Sequence, residues 1–116
     1  MIKIQNPKGT ITITSDVFSN IAGDAAMRCF GVKGMAGQSK ENGIYQLLRR
    51  ESMSKGVSVT YNDDGSASIA LHIVVEHGIN ITATCRSIKS EVKYKVTEAT
   101  GVPVSNVEVY VDTMTI

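Results

Sequence analysis

The chain has no tryptophan, and its 116 residues include only two phenylalanines, two prolines and two cysteines. With four tyrosines as the remaining aromatics, any core must be aliphatic, packed from Ile, Val, Leu and Ala. No apolar run approaches the roughly 20 residues that a spanning helix needs, and the first residues lack the basic-then-apolar pattern of a signal peptide. The cytoplasm is therefore the expected compartment. Twelve basic against eleven acidic side chains leave a formal charge of +1, so net charge gives no general affinity for polyanions. Cys29 and Cys85 fall in segments with helical patterning and are expected as buried, reduced thiols. Neither they nor His72 and His77 form a chelating pair of the CxxC or HxxxH kind, so no metal and no cofactor is expected. A Ser–His–Asp set, a phosphate-binding loop and a dinucleotide fingerprint are all missing. Catalysis is not expected, and no catalytic residue is assigned.

What the chain does contain is a strongly patterned second half. Ile81, Cys85, Ile88, Val92, Val96 and Ala99 recur at spacings of three and four. At 100° per residue they fill a stripe roughly 80° wide, as a helix buried on one face requires. Asn80 suits the N-cap, Gly101 the left-handed position beyond the last turn, and Pro103 prevents continuation. Before this helix, Val57, Val59 and Tyr61 alternate with polar residues. Asn62-Asp63-Asp64-Gly65 is a turn signal, and Ala67, Ile69, Leu71, Ile73 and Val75 alternate on the returning strand. The opposite face of that strand carries Ser68, Ala70, His72, Val74 and Glu76, and is only partly polar. After the helix, Val107, Val109 and Val111 alternate with Glu108, Tyr110 and Asp112 as a last strand.

The first half is weaker in pattern. Residues 1–9 hold Pro7 and Gly9 and read as a loosely held leader. Thr10–Thr14 is a β-branched strand. Ser15 then caps a helix running to about Phe30, with Val17, Ile21, Ala25 and Cys29 as its expected stripe and Phe18 and Ala22 beside them. Its small residues, Ala22, Gly23, Ala25 and Ala26, permit a close neighbour. Gly31 ends that helix, Gly34-Met35-Ala36-Gly37 reads as a flexible loop, and a second helix is expected over Glu41–Met53. The order becomes β-α-α-β-β-α-β: a single α+β domain over 1–116, a two-layer sandwich with helices covering a small sheet of the central hairpin plus the N- and C-terminal strands, and in part like a KH domain. The last strand can pair with the hairpin or with the strand at Thr10–Thr14.

Two surfaces are candidates for binding. Arg86, Lys89 and Lys93 lie within about 60° of one another on the long helix and form a basic row. Together with the partly apolar strand face at Ala70 and Val74, this row is the expected protein-partner surface. The alternative is nucleic acid. In KH domains a GxxG loop between two helices brings exposed amides against a nucleic-acid backbone. Gly34 and Gly37 would form that loop, with Lys33, Lys40, Arg49 and Arg50 serving phosphates.

Read in order, the residues resemble the alkaline shock protein (envelope stress response) family of Gram-positive bacteria, in its short subgroup. The resemblance runs from Gly9-Thr10-Ile11, with Ile13 and Val17, through Ile21-Ala22-Gly23 and Ala25-Ala26. It continues with Gly31-Val32, Gly34-Met35, Lys55-Gly56-Val57, Val74 and Gly78. It closes with Val92-Lys93, Thr100-Gly101-Val102, Val104, Val107, Val109 and Val111. Most of these are turn glycines and core residues, and no catalytic residue is carried over. The resemblance implies a non-enzymatic cytoplasmic interaction or scaffold module tied to cell-envelope stress or homeostasis. It would act through self-association and a protein partner, with a membrane anchor protein as one kind of partner. Two features depart from the family pattern: His77 stands where members often carry an aromatic residue, and the charge is nearly neutral where relatives are acidic.

Overall fold

A computed structural model of the chain describes residues 2–38, 45–47 and 56–115. Its central element is a strand, β6 (Ala67–Val75). One face of it, Ala67, Ile69, Leu71, Ile73 and Val75, is exposed by 1% or less. Period-two alternation in the sequence thus becomes one sealed face. Asn62, Asp63, Asp64 and Gly65 connect it to β5 (Val57–Tyr61), which pairs antiparallel from Val57 opposite Leu71 to Tyr61 opposite Ala67. Gly65 takes φ +88° and donates to the Asn62 carbonyl at 3.1 Å. The Asp64 carboxylate accepts from the Ser66 hydroxyl at 2.6 Å, and these bonds hold its carboxyl below the usual carboxylate range.

Beyond β6 the chain enters α2 (Ile81–Thr100) and returns as β7 (Val104–Met114). The nine residues of β6 span about 30 Å at ~3.3 Å per residue, and the 20 residues of the helix span about the same at ~1.5 Å per residue. The helix therefore carries the chain back to the start of β6, and β7 lies parallel to it, from Ala67 opposite Val104 to Val75 opposite Met114. Asn80 caps α2 by accepting from the Ala83 amide at 3.0 Å, and Gly101 ends it at φ +74°. Thr84, Ile88, Val92 and Val96 are its buried side chains. The ends of the expected stripe are not sealed: Ile81 is 38% exposed, Ala99 is exposed and Cys85 is half-buried.

The other edge of β6 is shared by two strands. β5 occupies its first half, and β3 (Val32–Gln38) its second, with Met35 opposite Ile73. β4 (Tyr45–Leu47) pairs antiparallel with the outer side of β3. The sheet is covered on its inner face by α1 (Ser15–Met27) and α2, which pack against each other. This is the α+β two-layer arrangement expected from the sequence. Phe18 is fully buried and meets Tyr61 edge-on at 5.8 Å. At the N-terminus, β1 (Ile2–Asn6) and β2 (Gly9–Ile13) form a separate two-stranded hairpin, so the strand expected over Thr10–Thr14 pairs with β1 and not within the main sheet.

Several expectations are corrected. Residues 2–6 are not a loose leader; they are β1, with Ile2 opposite Ile13 and Ile4 opposite Ile11. Thr14, not Ser15, holds the N-cap of α1, and the helix ends at Met27 rather than near Phe30. Its buried face is Phe18, Ala22, Ala25 and Ala26, rotated from the expected one so that Val17 is 43% exposed. The large ring of Phe18 enters the core, and the small residues admit the neighbouring elements. Gly34-Met35-Ala36-Gly37 is not a loop; it lies within β3. Of the helix expected over residues 41–53, Tyr45–Leu47 is strand, and the remainder lies outside the described residues.

Candidate protein-interaction surface

α2 buries only the narrow line through Thr84, Ile88, Val92 and Val96, so most of its circumference faces outward. Arg86, Lys89 and Lys93 are all exposed on it, and the 3.6-residue period keeps them on one side. Next to them Tyr94 is 60% exposed. Its phenol hydrogen-bonds Glu98 one turn on, and the bond and the carboxylate's charge both raise its pKa above the usual phenol range. Lys95 lies 5.7 Å from the centre of the same ring. Among the described residues Ser90, Lys93, Tyr94, Thr97 and Glu98 line an open depression of about 500 Å³. A ring with accessible faces, a mobile cation and a shallow hollow suit a protein side chain, since aromatics and cations dominate contact energetics.

The strand face fares differently. Ala70 is half-buried on the outer side of β6, but Val74 is only 2% exposed and offers no surface. Val74 lies between Gly34 of β3 and Thr113 of β7. The sequence showed this face as only partly polar, with Ala70 and Val74 as a partner surface; it could not show that Val74 is covered within the chain itself. The same face carries a polar set that sequence reading missed. His72 stacks on Tyr110 at 4.8 Å and bonds Asp112 through Nδ1 at 2.9 Å. The Tyr110 hydroxyl donates to Glu108 at 2.8 Å, which holds the phenol pKa above its usual range. These residues are brought together by the parallel register of β6 and β7, with His72 opposite Tyr110. No spacing within either strand signals that register.

The Gly34–Gly37 segment does not form the loop expected to serve nucleic acid. A GxxG clamp needs exposed amides in a loop between helices. Here Gly34 is a buried strand residue opposite Val74, and Gly37 pairs with Gln46. Lys33 stands 3.9 Å from Glu76, a surface pair of little energetic weight. Lys40, Arg49 and Arg50 lie outside the described residues. Cys29 and Cys85 are free thiols. Burial pushes both upward in pKa; Glu91 adds to the shift at Cys29, whereas Lys89 opposes it at Cys85. Among the described residues no three His, Cys, Asp or Glu side chains converge as metal ligands, and no helix is long and apolar enough to cross a membrane.

The model of the alkaline shock protein 23 family, described by a cell envelope-related function, matches residues 3–116. The Bacillus subtilis protein YloU, itself uncharacterised, is 32% identical over 111 residues, covering 95% of this chain and 92% of its own length. The uncharacterised Streptococcus pyogenes protein Spy1614 is 34% identical over 111 residues, covering 95% and 91%. A second S. pyogenes protein, Spy1535, is 25% identical over 104 residues, covering 90% and 78%. No solved structure matches the chain.

Proposed function

Since this chain belongs to the alkaline shock protein 23 family, with its cell envelope-related function, we propose that it is a non-enzymatic interaction module. It works in the cytoplasm in envelope homeostasis, by self-association and by docking a protein partner. The observation that carries this reading is the outward side of α2, where Arg86, Lys89 and Lys93 form an exposed row beside the accessible Tyr94 ring and its hollow. A row of three cations on a chain of nearly neutral charge favours an acidic partner segment. Opposite charge steers such encounters and makes them salt-dependent.

Affinity purification from the native host, with wild-type protein and with Arg86, Lys89 and Lys93 each changed to Glu, tests the reading. The expected result is an acidic partner that co-purifies with wild type at low salt, elutes as salt rises and is lost from the triple variant. A partner retained equally by the triple variant would contradict the assignment to α2.

A further inference from the structure

β7 closes one side of the sheet. Its inner edge pairs with β6 along the full length of that strand, and among the described residues no strand pairs with its outer edge. That edge, Val104–Met114, contains no proline and no lysine, and its charged residues are two carboxylates, Glu108 and Asp112, so any strand laid on it must keep these apart. Register shifts against β6 at Ala67/Ser68 and Ile73/Val74 bend its ends and leave Asn106 to Val111 regular. Val109 and Val111 reach the core yet remain half-buried, and Tyr110 and Met114 are 45% and 38% exposed. Among the described residues the edge is long, unpaired and incompletely covered.

We infer that this edge pairs with the same edge of a second copy of the chain, antiparallel about a two-fold axis at Val109, so that two sheets become one. This rests on the self-association proposed above and gives it a surface. Antiparallel neighbours directly opposite each other share a face. Keeping the two helical layers on one side therefore requires the axis to fall on a residue. An axis at Glu108 sets that carboxylate against its own copy, and one at Tyr110 sets Glu108 against Asp112. Like charges directly opposed are destabilising. An axis at Val109 avoids both; axes at Val107 or Val111 avoid them too but pair fewer residues of the regular stretch from Asn106 to Val111. It places Glu108 opposite Tyr110, Val107 opposite Val111, and Val109 opposite itself. The Tyr110 hydroxyl already donates to Glu108 within its strand at 2.8 Å, and in this register it meets the copy's Glu108 as well. One strand edge is smaller than the roughly 1,200–2,000 Å² of a stable complex, so the pairing is a weak one that depends on protein concentration.

Sedimentation equilibrium of the full chain across micromolar concentrations, with Tyr110→Lys and Tyr110→Glu as variants checked for folding by circular dichroism, tests the pairing and its register. A cation at position 110 faces the copy's Glu108 and keeps the dimer at least as tight as wild type. An anion there faces it twice per dimer and weakens association roughly ten-fold. If wild type dimerises and the two variants shift the constant equally or not at all, the edge pairing is overturned and self-association uses another surface. A wild type that stays monomeric throughout overturns both. Should a variant fail to fold, amide exchange of wild type decides. Protection of residues 106–111 that rises with protein concentration supports the pairing, and protection independent of concentration overturns it.

Discussion

Gly56 and Gly101 illustrate how two glycines constrain one chain for different reasons. At Gly56, β3 and β5 meet end to end along β6, and a Cβ would lie 3.0 Å from the Ala36 carbonyl oxygen, 3.0 Å from the Met35 Cβ and 3.1 Å from the His72 carbonyl oxygen. Two of those neighbours are sheet backbone and cannot yield. Gly56→Ala is expected to destabilise by about 2–3 kcal/mol, the upper range of overpacking. Gly101 has open space around it but sits at φ +74°, so Gly101→Ala costs only about 1 kcal/mol of backbone strain. Urea titrations of the two variants separate the mechanisms; equal losses would contradict the account. The thiols give a second prediction at this scale. Folded Cys29 and Cys85 have raised pKa values, so the unfolded chain loses these protons first. Stability is unaffected by them well below the ordinary thiol pKa and falls as pH rises through it. Correspondingly, iodoacetamide at mildly alkaline pH modifies both more slowly than the same cysteines in denaturant, the thiolate being the reactive form.

At the scale of elements, the long helix was the most legible part of the chain. Its cap, its terminator and the centre of its stripe, Ile88, Val92 and Val96, are where the spacing puts them. The stripe's ends were overextended because periodicity says which side is apolar, and only packing decides how far along that side is covered. Asn80→Ala is expected to cost about 1 kcal/mol. Ile88→Ala, at a position with no exposure, is expected to cost roughly 2–5 kcal/mol. Thermal unfolding of both checks the order. Gly34-Met35-Ala36-Gly37, which lies within β3, was read as a flexible loop, and its two glycines do weigh against a strand. Tertiary pairing overrode that weight: Met35 is fully buried opposite Ile73, and β6 would otherwise have half an edge unpaired. The rotation of α1 was hidden for a related reason, since Val17 and Phe18 compete for the core and only the packed neighbours choose Phe18. The neighbour of the last strand was not legible, since the pattern left it free to pair with the hairpin or with the strand at Thr10–Thr14; the structure lays it parallel to β6.

For the whole molecule, the fold leaves its chemistry on the outside. The basic row on α2 could be read from spacing alone, because three exposed cations one and two turns apart need no tertiary partner to be aligned. The His72, Tyr110 and Asp112 set could not, since it depends on which strand lies beside β6 and in what register. Many residues carrying the family resemblance, such as Gly101, Val92 and Val107, are turn or core positions; they specify the scaffold and leave its outward surfaces free to differ. On the proposed reading, a near-neutral molecule with a local cationic row would bind by position rather than by bulk charge. Photo-cross-linking in living cells of the native host, with a benzophenone side chain at position 94, examines that surface directly. The account predicts a discrete adduct with an acidic protein that disappears when Arg86, Lys89 and Lys93 are reversed to Glu. An adduct unchanged by the reversal, or none at all, would contradict it.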